Sequence, residues 1–282
     1  MHAEIVFNRR VSAAYRHLGL AAPGFPTGFG PGQFVMVRPP DGLDPFLPRA
    51  FSVYRLVASI DGAAPVVEIL YKVLGKGTRC LSRMEPGQAV QILGPLGNSF
   101  GVAEGLGVAA LVAGGIGVPP IAALATALAQ SRAPRAECRD REVISGQRAV
   151  RLEVFLGGKT HEDILCAKDF EEAGATVHIA TEDGSLGTRG LITELLAPFL
   201  LGTRHSALAL FTCGPPGMLA AVARLAEARG VPCQTSVEAN MACGFGACMG
   251  CAVEVRSNGS DPIYKLVCKD GPVFDSRVIK WE

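Results

Sequence analysis

The sequence is poor in aromatic residues and carries almost no net charge. Only 6% of its 282 residues are Phe, Trp or Tyr, and 27 Lys and Arg nearly balance 26 Asp and Glu, for a formal net charge of +1. A near-neutral chain lacks the basic surface that attracts nucleic acids and anionic membranes. Few aromatic side chains also disfavour a platform on which single-stranded bases stack. We therefore expect neither nucleic acid nor membrane as a partner.

A long hydrophobic run free of turn residues is also missing. The stretch from Gly105 to Ser131 has no charged residue and is long enough for a membrane helix. However, the string GGIGVPP interrupts it, and such a string breaks a helix. The pattern instead predicts a buried strand over 108–112, a glycine turn and a helix over 119–130.

An export signal is not recognisable in the opening string MHAEIVFNRR, which alternates as a strand does. The nine cysteines are therefore expected in a reducing compartment, where thiols bind metals or stay free. On this basis we expect a cytoplasmic location.

The distribution of turn residues divides the chain into three segments. Residues 1–103 contain short apolar or alternating runs between Gly and Pro, which is typical of an antiparallel β-barrel. Residues 104–232 alternate strands with helices and predict an α/β domain with a parallel sheet. Residues 233–282 form a segment so small that it needs a staple such as a metal. The predicted fold class is a multidomain α+β protein.

Three details of this organisation are specific enough to be tested by a structure. The string AFSVYRLV (50–57) is predicted as one strand, and a helix is predicted near 161–173. The charged, aperiodic stretch 131–150 is predicted as a surface loop or insertion.

Three cysteines fall within the string CGFGACMGC. Their spacing is Cys243-x4-Cys248-x2-Cys251, and Cys268 follows after sixteen further residues. This order matches plant-type ferredoxins, in which four thiolates hold a [2Fe–2S] centre. The intervening glycines permit the tight bends of a loop around a small inorganic core. Zinc remains an alternative, although its structural sites prefer two paired knuckles, and a disulfide is disfavoured by the missing export signal.

Two strings in the first segment have the chemistry of a flavin site. RAFSVYR offers the guanidinium of Arg49 and the hydroxyl of Ser52, which suit a phosphate or a ring edge. In LYKVLGKGT, the string GKGT lets backbone amides approach a pyrophosphate, and Thr78 adds a hydroxyl. A surface salt bridge for Arg49 and an ordinary turn at Gly75 and Gly77 remain open alternatives.

Two glycine turns in the second segment lie where a strand passes into a helix. LVAGGIGVPP carries Gly114, Gly115 and Gly117; it lacks the G-x-G-x-x-G fingerprint but retains a phosphate-cradling helix start. FTCGPPGML places Cys213 and Gly214 at the carboxyl edge of the sheet, where ligands of open α/β sheets bind. The alternative for Cys213 is a small buried residue.

The choice between NAD and NADP is left open by the sequence. Glu162 and Asp163 follow the predicted strand over 152–156 and could receive a ribose 2′-OH, which favours NAD. They could equally be acidic residues in the first turn of a helix.

The motifs R-x-F-S, G-x-G-T, G-P-L-G, A-G-G-I-G-x-x-P and C-G-P-P, in this order, resemble the ferredoxin–NADP reductase superfamily. The C-terminal strings C-G-x-G-A-C-x-x-C and VCKDGPVF narrow the resemblance to the electron-transfer subunits of class 1B dihydroorotate dehydrogenases, over essentially the full chain. The resemblance implies an FAD-binding β-barrel at 1–103, an NAD-binding α/β domain at 104–232 and a [2Fe–2S] domain at 233–282.

The resemblance also implies a role for each motif. Electrons would pass from the FMN of a catalytic dihydroorotate dehydrogenase subunit through the cluster and FAD to NAD⁺, in pyrimidine biosynthesis, within a heterotetramer of two of each chain. The protein positions cofactors, and no catalytic residue is predicted. The iron ligands would be Cys243, Cys248, Cys251 and Cys268. The cofactor-binding residues would be Arg49, Ala50, Phe51, Ser52, Leu70, Tyr71, Lys72, Gly77 and Thr78 for FAD, and Gly114, Gly115, Gly117, Cys213 and Gly214 for NAD.

Two departures from the family pattern stand out, namely Phe51, where a more polar or proline-containing string is usual, and the long 131–150 stretch.

The nearest alternative function is that of the small flavin and iron–sulfur subunit of a bifurcating NADH-dependent ferredoxin:NADP oxidoreductase or of a sulfide dehydrogenase. A stand-alone oxidoreductase lacks support because no acid–base or nucleophile constellation is visible. A zinc-stabilised binding module would be supported by an absence of bound flavin.

Overall fold

A computed structural model describes residues 1–39, 44–57, 64–131, 150–203, 207–257, 259 and 261–281. The chain divides into two compact units, of which the first is Met1–Phe100 with Thr235–Glu282 and the second is Gly101–Gln234. Apart from its two end residues, the predicted insertion 131–150 lies outside the described residues. No described helix is long and apolar enough to cross a membrane.

The N-terminal part of the first unit, Met1–Phe100, contains an antiparallel sheet of seven strands and one short helix. The strands are β1 His2–Arg10, β2 Tyr15–Ala21, β3 Phe34–Arg38, β4 Arg49–Ser52, β5 Arg55–Val57, β6 Val66–Lys72 and β7 Ala89–Leu96, and helix α1 is Lys76–Leu81. The strands lie in the order β4-β3-β7-β1-β2-β6-β5, and each pair is antiparallel. Alternate side chains such as Val35, Ile69 and Ile92 form a buried apolar core. The predicted antiparallel barrel class is confirmed.

The prediction of a single strand over 50–57 is wrong. Strands β4 and β5 lie at opposite ends of the strand order. Between them, the Val53 N–H donates to Gln33 O at 3.1 Å, whereas the Tyr54 N–H donates to Glu68 O at 2.9 Å. The chain therefore changes hydrogen-bonding partner between two adjacent residues, which hydrophobic periodicity does not report.

The second unit is a parallel α/β layer structure. Its strands are β8 Val108–Gly114, β9 Arg151–Gly158, β10 Thr176–Thr181, β11 Thr188–Arg189, β12 Leu208–Cys213 and β13 Cys233–Ser236, and its helices are α2 Val118–Gln130, α3 Ala167–Glu172, α4 Ile192–Gly202 and α5 Pro216–Ala228. The strand order is β11-β10-β9-β8-β12-β13, and the pairs from β11 through β12 are parallel. The last two residues of β13 belong to the first unit. This confirms the predicted parallel sheet.

The helix predicted near 161–173 is wrong in its extent. A single 3₁₀ turn covers His161–Asp163, and α3 begins only at Ala167. Cys166 between them has a left-handed backbone with φ of 58°, which interrupts a right-handed helix.

The C-terminal part of the first unit is a small layer with its own core. It contains the antiparallel hairpin β14 Ala252–Val255 and β15 Ile263–Leu266, the one-turn helix α6 Val267–Asp270 and strand β16 Val273–Asp275. Its apolar residues form one buried cluster with Phe34 and Met36 of β3. Strand β3 therefore contributes to the barrel on one side and to this layer on the other.

Candidate functional site

The predicted iron ligands lie in the C-terminal layer as two pairs of sulfurs. The Cys248 N–H donates to Cys243 Sγ at 3.4 Å, and the Cys268 N–H donates to Cys251 Sγ at 3.4 Å. Cys251 Sγ and Cys268 Sγ are 3.2 Å apart, too far for a disulfide bond. Among the described residues, no group of three or more His, Cys, Asp or Glu side chains could hold a single metal ion. A two-and-two arrangement fits a centre with two irons, each of which takes two thiolates.

The electrostatic surroundings of the two pairs differ. Backbone N–H groups, first that of Cys248 and then that of Phe245, lower the pKa of Cys243 to about 6. Burial, reinforced by the sulfur of Cys251, raises the pKa of Cys268 to about 12. Cys243 is thus preorganised as thiolate, whereas the buried Cys268 needs a cation to hold its negative charge. This donor set fits the predicted iron–sulfur centre.

The loop that carries three of the cysteines is strongly bent. Gly244 and Gly246 have φ values of +83° and +90°, and Met249 has a φ of 58°. Left-handed backbone is easy for glycine but costly for methionine, whose side chain is 65% exposed. The loop therefore keeps an exposed apolar side chain at a position where glycine would be less strained.

Arg49 and Gly77, predicted to bind FAD, lie against each other. A Cβ at Gly77 would fall 2.8 Å from Arg49 Nε, so a larger residue there would require the guanidinium to shift. Arg49 Nη1 donates to Leu47 O at 2.6 Å and to Pro48 O at 3.3 Å, which fixes its direction. The start of α1 is tied to the same loop by an ion pair between Lys76 and Asp44. The two sequence motifs thus lie side by side, and the guanidinium of Arg49 at this place fits a pyrophosphate.

The hydroxyl of Thr78 is used within its own turn. Its Oγ1 accepts from the N–H groups of Leu74 at 3.0 Å and Gly75 at 3.1 Å, and it donates to Gly75 O. Thr78 therefore organises the start of α1.

Two other predicted flavin residues have side chains that face the barrel core. The rings of Phe51 and Tyr71 pack edge to face with centroids 5.7 Å apart, and burial raises the pKa of Tyr71 to about 12. Tyr71 OH donates to Asn8 Oδ1 at 3.1 Å. Because Tyr71 is 1% exposed, any flavin contact by this residue must use the backbone, whereas Phe51 is only half-buried. The packing also explains why an apolar residue stands at position 51.

The remaining predicted flavin residues flank these two on their strands. Ala50 and Ser52 lie opposite Met36 and Phe34 of β3, and Ala50 packs on the buried cluster that contains Cys251 and Cys268. On β6, Leu70 is buried, and Lys72 Nζ lies 4.8 Å from the ring centroid of Tyr15.

The two glycine turns of the second unit meet at one edge of its sheet. Gly114 pairs with Gly157, and Cys213 pairs with Ala113, so β8, β9 and β12 end together. A Cβ at Gly117 would lie 2.4 Å from Cys213 O, which shows that the turns touch. This edge is where open α/β sheets bind their ligands.

Other residues at this edge were missed or left open by the sequence. Thr212 Oγ1 is fully buried and has no hydrogen-bond partner within the described parts of the chain. A polar residue at the end of an apolar strand was the signal that could have found it. Asp163 Oδ2 accepts from the Lys159 N–H at 3.1 Å and so stabilises its own turn, whereas Glu162 is exposed after β9.

Substituting Gly117 by Ala is expected to weaken nicotinamide-nucleotide binding. The new Cβ would force the two turns apart, because the atom that it meets is a backbone carbonyl. We expect the KM for NADH in flavin reduction to rise at least about tenfold, with iron and FAD content unchanged. Gly217→Ala is the control, because its Cβ meets nothing within 4 Å. Equal effects of the two substitutions would contradict this role.

Comparisons with known proteins agree with this geometry. Residues 238–280 match the family described as the iron–sulfur cluster binding domain of dihydroorotate dehydrogenase B, and residues 111–224 match the oxidoreductase NAD-binding domain. A protein of Desulforamulus reducens, named dihydroorotate dehydrogenase B (NAD(+)), electron transfer subunit, is 34% identical over 98% of this chain and 99% of its own length. Proteins of the same name from Caldanaerobacter subterraneus and Bacillus caldolyticus are 36% and 38% identical, over 97% and 86% of this chain and 96% and 84% of their own lengths.

Solved structures share the fold. The NADH-dependent reduced ferredoxin–NADP oxidoreductase of flavin-based electron bifurcation has a TM-score of 0.79 at 24% identity, over 99% of this chain and 90% of that chain. A ferredoxin–NADP⁺ reductase from Neisseria gonorrhoeae with bound FAD and NADP has a TM-score of 0.61 at 16% identity, over 82% of this chain and 91% of that chain.

The antiparallel barrel, the parallel sheet with its glycine edge and the paired cysteines define an oxidoreductase of the ferredoxin–NADP reductase fold with an iron–sulfur domain. Within that class, the chain belongs to the family of electron-transfer subunits of NAD-dependent dihydroorotate dehydrogenase B. The family predicted from the motifs is therefore confirmed.

Proposed function

We propose that this chain carries electrons from an FMN-containing dihydroorotate dehydrogenase catalytic subunit to NAD⁺. One observation carries the proposal, namely that the predicted iron ligands extend from the surface of the first unit into its interior. Cys248 is exposed, whereas Cys251 and Cys268 are buried in one apolar cluster with Met36 and with Ala50 of the flavin motif. The pairs thus lead from the surface of the first unit towards its predicted flavin site.

The chain's own residues bind and position the cofactors. Cys243, Cys248, Cys251 and Cys268 would hold the cluster, and Arg49 with the start of α1 would hold the FAD pyrophosphate. When bound, the cluster exchanges single electrons, and FAD exchanges one or two and gives a hydride to NAD⁺. The glycine edge of the second unit would hold NAD⁺. On this proposal, the chain has three functional segments, which are 1–103 for FAD, 104–232 for NAD⁺ and 233–282 for the cluster.

The surface around the exposed Cys248 would receive the partner. Phe245 and Met249 flank Cys248 and are 58% and 65% exposed. Large exposed apolar side chains next to the site where electrons enter the chain are suited to the core of an interface. Because the left-handed backbone at Met249 is strained, the presence of methionine at this position supports a functional role for its side chain. A heterotetramer with two copies of each chain and a cytoplasmic location complete the proposal.

Met249→Gly is expected to weaken partner binding without lowering stability. The substitution removes the side chain, while relief of about 1 kcal/mol of left-handed strain offsets the greater entropy of glycine. Together with Phe245→Ser, it should raise the dissociation constant for the catalytic subunit about 10- to 100-fold at unchanged iron content. Binding is measured by calorimetry, and Leu201→Ser, which changes an exposed leucine of α4, is the control. Unchanged affinity of the double variant would rule out this surface.

The alternative function is that of the small subunit of a bifurcating NADH-dependent ferredoxin:NADP oxidoreductase or of a sulfide dehydrogenase. It is favoured by the fold likeness alone, at 24% identity to the bifurcating enzyme. The full-length relatives at 34–38% identity favour the dihydroorotate system. Reduction of NADP⁺ by reduced ferredoxin, without any activity on dihydroorotate, would favour the alternative.

A cofactor analysis tests the proposal directly. The anaerobically purified chain should contain about two irons, two acid-labile sulfides and one FAD, and NADH should reduce both centres. Zinc in place of iron, or a chain unable to bind FAD, would refute the proposed function.

A further inference from the structure

Asn98 connects the barrel to the segment that carries the fourth cysteine. Its backbone N–H donates to Gly271 O at 2.7 Å. Its side-chain amide donates to Val273 O at 2.9 Å and to Asp270 O at 3.3 Å, and its Oδ1 accepts from the Val273 N–H at 2.9 Å. Four hydrogen bonds therefore join this one residue of the G-P-L-G-N-S-F string to residues 270–273.

Gly97 brings two stretches of backbone into contact beside Asn98. A Cβ at this position would lie 2.5 Å from Pro272 Cδ and 2.8 Å from Gly271 O. Both distances are shorter than any real Cβ contact, so the loop after β7 and the residues that follow α6 pack without a gap.

The residues held by Asn98 directly follow the helix that contains Cys268. Helix α6 has only four residues. So short a helix has no stability of its own in water, and its position must come from its surroundings. Cys268 faces the buried cluster of Phe34 and Met36, and Asn98 holds the backbone as it leaves the helix. The placement of Cys268 therefore depends on both contacts.

Strand β3 contacts both the cysteine loop and the flavin motif R-A-F-S. Met36 pairs with Ala50 of the R-A-F-S string. The side chain of Met36 also abuts the cysteine loop, because a Cβ at Gly244 would lie 2.5 Å from Met36 Cγ. A shift of the Cys268 segment on β3 would therefore change its distance from the flavin motif.

We propose that Asn98 is a positioning residue that holds the Cys268 segment on β3 and thereby fixes the separation of the iron–sulfur and flavin sites. This inference rests on the proposed function. Asn98 lies exposed at the rim of the barrel, so its substitution removes hydrogen bonds without opening the apolar core. Small displacements of reacting groups cost large factors in rate.

Asn98→Ala removes the three side-chain hydrogen bonds and keeps the backbone one. In the complete, cofactor-loaded chain, we expect iron loss to an added chelator to become about tenfold faster. Cluster reduction after addition of NADH should slow about fivefold, while FAD content and the rate of flavin reduction stay unchanged. Asn98→Asp should likewise slow cluster reduction while leaving flavin reduction unchanged. It keeps the acceptor for Val273 but turns a carboxylate towards two carbonyl oxygens.

Hydrogen–deuterium exchange gives a readout that does not depend on activity. Exchange over residues 266–275 should accelerate in both Asn98 variants. The control is Gln88→Ala, which removes a carboxamide that accepts from the Glu85 N–H within a barrel turn. Unchanged iron loss, cluster reduction and exchange would overturn the inference, and so would equal slowing of flavin and cluster reduction. Iron content and NADH reduction of the unmodified chain test the proposed function separately, since the role of Asn98 is read from the ratio of variant to unmodified protein.

Discussion

Cys268→Ser is expected to abolish the iron–sulfur centre while leaving the flavin reducible by NADH. Cys268 is 3% exposed and lies 3.2 Å from the sulfur of Cys251, so no other thiol in the described part of the chain can replace it without rearranging a buried core. A serine hydroxyl is a poorer iron ligand than a thiolate. Iron content should fall from about two per chain to below about 0.2, with the loss of cluster absorbance.

The matched control for this substitution is Cys166→Ser, which changes a cysteine of the second unit that precedes α3. It should keep both irons and the same rate of cluster reduction. The assignment of Cys268 as a ligand fails if the Cys268 variant retains two irons and two sulfides. It also fails if both variants lose iron to the same extent.

Arg49→Ala is expected to weaken FAD binding about 100-fold, because a charge-assisted hydrogen bond to a phosphate contributes roughly 1.5–3 kcal/mol. The guanidinium is oriented by the carbonyls of Leu47 and Pro48 and lies over Gly77. Arg49→Lys should recover only part of the affinity, since an ammonium lacks the planar fork. Fluorescence titration of the flavin-free protein with FAD measures the effect.

Arg79→Ala tests whether charge alone matters at this surface. Arg79 is an exposed cation on the same helix α1. Its loss should change FAD affinity by no more than about threefold, because exposed charges are screened by solvent. Equal losses for the two arginines would mean that α1 attracts FAD only through its net charge, and the specific role of Arg49 would be wrong.

Short-range patterns were the most informative part of the sequence. The spacing of Cys243, Cys248 and Cys251 depends on the geometry of a small loop, and the glycine turn at 114–117 depends on one strand–helix junction. Such features are local, so the chain order of their residues reports them directly. The predictions of family, fold class, oxidoreductase class and cofactor set are confirmed, whereas the individual site residues stay predictions.

Long-range contacts were not visible in the sequence. The string G-P-L-G served only to recognise the family, whereas in the structure Asn98 and Gly97 lie against residues 270–273. The inward packing of Phe51 on Tyr71 follows from the pairing of β4 with β3, which periodicity does not fix. The division of 50–57 into two strands has the same cause, because it depends on which neighbours accept the hydrogen bonds of Val53 and Tyr54.

The most direct test of the account is the reduction of NAD⁺ by dihydroorotate, followed anaerobically with the FMN-containing catalytic subunit in the presence and absence of this chain. The catalytic subunit alone is expected to oxidise dihydroorotate but not to reduce NAD⁺. Addition of this chain, loaded with FAD and iron, should produce NADH in equal amount to the dihydroorotate consumed, and the Cys268→Ser chain should not. NADH formation by the catalytic subunit alone, or at the same rate with the Cys268→Ser chain, would contradict the account.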